Sequence, residues 1–127
     1  MNRMLLRQAF TTRFGTDWVV HEASTAEEAL AALSTGHGFH LAILDEIYSD
    51  FCEAGMRGSD VIRHVRQREE ANCEARLPVI ACTGLASQDV ARLRALGADD
   101  IWDKPFPSPR DGSMQRRVAK LMPSFVL

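Results

Sequence analysis

The chain has 127 residues, of which 46 % are hydrophobic and 25 % charged, with a formal charge of -2. That is one domain's worth of sequence with enough apolar material for a core. The charge balance excludes the basic footprint of a nucleic-acid binder, and no apolar run approaches membrane-spanning length.

Three cysteines, Cys52, Cys73 and Cys82, form no CxxC pair, so they read as reduced thiols of a cytoplasmic protein. The opening MNRMLLRQAF is too short in its apolar part for a secretion signal.

Taken in chain order, the elements alternate. Asn2 to Arg13 places Met4, Leu5, Ala9 and Phe10 at helical spacing. Gly15 stops that helix. DWVVHEA, residues 17 to 23, is a short β-rich run, with His21 on a strand face. Ser24 to Glu27 reads as a capping box opening a helix that ends near Gly36. Leu41 to Leu44 is an apolar strand, and a long loop, Glu46 to Gly58, follows Asp45.

Ser59 to Ala71 is a helix built on Val61, Ile62 and Val65. PVIACTG is a strand apolar on both faces, the signature of a parallel sheet covered by helices. SQDVARLRALGA is a helix with Ser87 as cap and Gly97 as stop. IWDKPF is a last short strand, and Arg110 to Leu121 a last helix. The arginines of RHVRQR and RLRALG read as solvated helix faces, and Cys82 as a small core residue. Alternation of this kind predicts an α/β domain with a mostly parallel sheet, 1–127 as a single unit.

Such sheets bind ligands at the carboxyl ends of their strands. Three residues lie there: Asp45 after LAIL, Thr83 after PVIAC, and Lys104 after IWD. A carboxylate, a hydroxyl and an ammonium on one rim suit an oxyanion. The carboxylate itself is either a metal ligand or a nucleophile that forms a covalent phosphoryl intermediate. His37 and His40 have a metal-compatible spacing but no third ligand nearby.

Together, NRMLLRQAF as a first helix, STAEEALAAL, LAILDE, MRGSDVIRHVR, PVIACTG and LGADDIWDKPF, in this order, resemble a receiver domain of two-component response regulators. The resemblance implies a flavodoxin-like fold with strand order 2-1-3-4-5, the order that general accounts of doubly wound sheets use for this family. It implies that Asp45 accepts a phosphoryl group from a histidine kinase or histidine phosphotransfer protein. Lys104 would pair with the phosphoryl oxygens and Thr83 would hydrogen-bond one of them. Asp45 and the backbone carbonyl of Ile47 would help to hold Mg²⁺. Phosphorylation would then shift a two-state equilibrium read by a downstream protein partner, on a face that includes Ile101, Trp102 and Pro105. The Lys104–Pro105 bond would be cis.

Three features depart from the family pattern. The sequence starts inside the first helix, so the first strand and its Mg²⁺-holding acidic pair are not in it. Buried backbone groups left unpaired by that loss cost roughly 1–3 kcal/mol each. The expectation is therefore an N-terminally truncated receiver: the sheet repacks, or a strand comes from PSFVL or from a second copy in a homodimer. The loop after Asp45 exceeds the family norm by roughly five residues, within what loops tolerate. Its Asp50 or Glu53 would take over part of the metal site. Ile101 stands where the family often has an aromatic switch residue.

Three functions compete. The leading one is a phosphorelay receiver. The second is a degenerate pseudo-receiver that binds proteins without phosphorylation. The third, a small hydrolase with Asp45 as nucleophile, lacks a second aspartate in the usual spacing. The chain is thus expected not to be an enzyme beyond slow self-dephosphorylation.

Overall fold

The computed structural model describes residues 19–34, 39–45, 56–83, 86–103, 107 and 110–122. Contacts divide the chain into two units, Ala23–Lys104 and a second formed by Met1–Glu22 with Pro105–Leu127. The expected first helix, the loop 46–55, Lys104 to Phe106 and the tail 123–127 lie outside the described residues.

In the first unit, α1 (Ala26–Leu33) precedes β1 (Ala42–Asp45), and α2 (Gly58–Asn72) leads to β2 (Val79–Thr83). Next come α3 (Ala86–Leu96) and β3 (Asp100–Asp103). The three strands form one sheet in the order β1-β2-β3, parallel throughout. All five residues of the middle strand are buried, as its two-faced apolar sequence predicts. Val61, Ile62 and Val65 of α2 and Leu93 of α3 join the same core.

Local chemistry explains the boundaries. Thr25 caps α1, its hydroxyl accepting the Glu28 N–H at 3.1 Å, while Glu28 Oε2 accepts the Ser24 N–H at 2.7 Å. The cap thus sits one residue later than the sequence suggested. Ser24-Thr25 and Glu27-Glu28 offer the same spacing twice, and the structure uses Thr25 with Glu28.

Helix α2 opens with Asp60 Oδ2 accepting the Arg57 N–H at 2.9 Å. It closes on Cys73 in the left-handed region, φ 54. Helix α3 stops at Gly97, φ 116, where the Ala98 N–H returns to the Leu93 carbonyl in a Schellman turn. Because α3 begins at Ala86, Ser87 lies inside the helix instead of capping it.

The run 19–23 carries no strand, against expectation, and Val19 is 82 % exposed. β-propensity reports a fit to a pleated, half-buried surface, and without that surface a β-rich run stays irregular. In the second unit, α4 (Ser113–Leu121) buries Met114 and Val118 one turn apart. It starts at Gly112, φ 84, where Asp111 Oδ1 accepts the Ser113 N–H at 2.9 Å.

Candidate functional site

Asp45 is the last residue of β1 and Thr83 the last of β2. Asp45 stands in register with Cys82, so Thr83 lies one residue further along the neighbouring strand. Paired strands run about 4.8 Å apart, which brings the two strand ends to one rim. Both residues are 5 % exposed. A carboxylate that deep in the fold costs free energy unless charge or hydrogen bonds meet it. The parallel sheet puts it where ligands of such sheets bind.

Asp103 ends β3 in register with Thr83, and Lys104 is the next residue in sequence. Lys104, Pro105, Ile47, Asp50 and Glu53 all lie outside the described residues. Among the described residues, no three His, Cys, Asp or Glu side chains cluster as a metal site. One carboxylate, Asp45, does not make a site for Mg²⁺, which needs several oxygen donors.

Ile101 and Trp102 are buried, and the Trp102 indole N–H donates to Asp100 Oδ2 at 3.1 Å. Their side chains therefore form part of the interior. Cys82 is fully buried in β2, whereas Cys73 is exposed.

The arginine reading needs correction at two positions: Arg68 donates to the Leu33 carbonyl at 2.9 Å, and Arg66 is held by a larger network. Arg66, in RHVRQR, is 13 % exposed in its side chain. It donates to the Gly97 carbonyl (2.8 and 3.0 Å), the Leu77 carbonyl (2.8 Å), Glu69 Oε1 (2.8 Å) and Asp99 Oδ2 (2.8 Å). That network lies at the amino end of β2, away from Asp45. It ties α2 to the chain on either side of the strand.

No family model and no curated protein matches the sequence. Solved structures do match. The receiver domain of a sensor histidine kinase from Pseudomonas aeruginosa PAO1 superposes with TM-score 0.74 at 19 % identity, over 97 % of this chain and 89 % of that one. Chemotaxis protein CheY4 of Vibrio cholerae gives 0.71 at 20 %, over 94 % and 88 %. A putative response regulator from Chloroflexus aurantiacus gives 0.67 at 24 %, over 93 % and 85 %. The fold is that of a response-regulator receiver domain.

Within this receiver fold, β1, β2 and β3 correspond in order to the last three strands of the 2-1-3-4-5 sheet. The Pseudomonas receiver domain carries a magnesium ion in its active-site cleft. Sequence reasoning missed one contact near the rim: Glu27 Oε1 accepts the Met56 N–H at 3.0 Å, across 29 residues. No local pattern signals a bond of that reach.

Proposed function

We propose that the chain is a phosphorelay receiver that takes a phosphoryl group on Asp45. The supporting observation is the pairing of strand ends: Asp45 and Thr83, both 5 % exposed, close adjacent parallel strands of a receiver fold. A carboxylate oxygen of Asp45 attacks phosphorus, the P–N bond of a phosphohistidine breaks, and the imidazole leaves with its electron pair. The Thr83 hydroxyl donates to one phosphoryl oxygen, and the Lys104 ammonium offsets the added charge. Drawing Thr83 toward the phosphoryl group shifts a two-state equilibrium.

In this reading the partners are a histidine kinase or histidine phosphotransfer protein and a downstream protein. Residues 1–127 act as one signalling module, and self-dephosphorylation is its only turnover. Any Mg²⁺ would take Asp45 as one ligand and need further oxygen donors beyond it.

Phosphoramidate tests the proposal directly, because it carries a P–N bond. The folded chain is incubated with it, with and without Mg²⁺, and its intact mass is recorded. One phosphoryl adduct that disappears in Asp45→Asn is expected. An adduct of equal yield in Asp45→Asn, or none from the folded chain, would overturn it.

A further inference from the structure

Helix α1 has eight residues, too few to persist alone in water. The residues before it, 19–23, are not a strand that could anchor it. Its position must therefore come from what it touches, and it packs chiefly on α2. Ala26 and Ala29, 0 % and 7 % exposed, keep that contact close at the amino end of α1.

Two side chains reach across. Glu27 Oε1 accepts the Met56 N–H at 3.0 Å, two residues before α2. Arg68 Nη1, late in α2, donates at 2.9 Å to the carbonyl of Leu33, the last residue of α1. Start meets start and end meets end, so the two helices run parallel. The Leu33 carbonyl is one of the acceptors a helix leaves open at its end. Beside that end lies a partly open cavity of about 460 Å³, lined in part by Leu30, Leu33, Phe39, Val65, Arg68 and Leu77.

The neighbouring acids divide the work. Glu28 turns back to Ser24 and serves its own helix, whereas Glu27, besides accepting from its own N–H and the Thr25 side chain, reaches Met56 at the start of α2. The next amide, Arg57 N–H, is taken by Asp60 from within α2. Consecutive amides at the start of α2 are thus held from two different elements.

We propose that α1 is a satellite of α2 held by a two-ended clasp, with Glu27 as the positioning residue that fixes where the chain leaving Asp45 joins α2. This placement does not depend on phosphoryl transfer at Asp45.

Residue-resolved amide hydrogen exchange on the full chain tests it, in the wild type and in Glu27→Ala, Glu27→Gln, Glu28→Ala and Arg68→Met. A hydrogen bond to a charged group implies about tenfold faster exchange at Met56 in Glu27→Ala. Glu27→Gln restores much of the protection, because its amide oxygen still accepts. Arg68→Met speeds exchange in the last turn of α1. Glu28→Ala loosens the first turn of α1 and leaves Met56 protected. β2 amides, unchanged in all four, show that the fold is intact. Unchanged Met56 protection in Glu27→Ala would overturn the proposal. So would equal loss at Met56 in Glu28→Ala, which would make the effect mere helix fraying.

Discussion

Arg66 and Asp99 are locked together at the amino end of β2: Arg66 Nη2 donates to Asp99 Oδ2 at 2.8 Å, and the same oxygen accepts the Val79 N–H at 2.9 Å. Asp99 also donates its own N–H to the Val79 carbonyl at 2.8 Å. Helix, strand and turn therefore meet on one carboxylate.

Removing the cation takes the Leu77 carbonyl's side-chain donor away, while Asp99 keeps the Val79 N–H and Arg76, and the Gly97 carbonyl keeps Arg76 at 3.1 Å. Arg66→Met is expected to cost roughly 2 kcal/mol, in the range for losing hydrogen bonds to a charged group, because Arg76 still pairs with Asp99. Urea unfolding checks this. A change within ~0.5 kcal/mol, the range for ordinary surface substitutions, would show that the network is ornamental.

The difference between what the sequence disclosed and what it hid follows from distance along the chain. PVIACTG reads as a buried strand because apolar residues on both faces leave few alternatives. Gly97 reads as a helix stop because its backbone conformation is local. Asp45 stands out because a charge ends an apolar run. Arg66 could not be read, because its partners lie 11, 31 and 33 residues away and its sequence neighbours resemble a solvated face. DWVVHEA misled for the same reason: a strand is made by its neighbours, and its own residues supply only a preference. In the candidate site, the strand-end placement of Asp45 and Thr83 was legible. The Glu27–Met56 bond was not.

Gly97 joins two demands at one position. Its φ is +116, and a Cβ there would lie 2.7 Å from Arg66 Cγ. Arg66 cannot swing aside without giving up its bonds to the Gly97 carbonyl. Gly97→Ala is expected to lose more than about 1 kcal/mol. Thermal unfolding that leaves the midpoint unmoved would contradict this.

Cys73 presents the opposite case. It closes α2 at φ 54, is exposed, and has a side chain that the left-handed region disfavours. Cys73→Gly removes a strain of about 1 kcal/mol, offset in part by the greater freedom of glycine in the unfolded chain. A small net gain in denaturation midpoint is expected, with no change in the slope against denaturant.

Two exposed carboxylates carry a pH signature. The Met56 N–H bond, with smaller help from other donors, holds Glu27 below the ordinary glutamate value. The Ser113 side chain and then its backbone N–H hold Asp111 below the ordinary aspartate value. A group whose folded value is lowered binds fewer protons folded than unfolded. Its contribution is full above the unfolded value and is lost as pH falls through the folded one. Both contributions should therefore vanish only in the acid range, and Glu27→Gln should remove the Glu27 share of the pH dependence. Carboxyl titration by NMR reads each group, and a Glu27 midpoint at or above the ordinary value would contradict the geometry.

The central claim is that Asp45 is the phosphoryl acceptor, and mapping the acyl phosphate tests it most directly. The chain is phosphorylated with phosphoramidate, reduced with borohydride, digested and sequenced by mass spectrometry. Reduction is expected at position 45, with the yield falling in Thr83→Ala and disappearing in Asp45→Asn. Reduction at another carboxylate, or none from a chain shown to be folded, would contradict it.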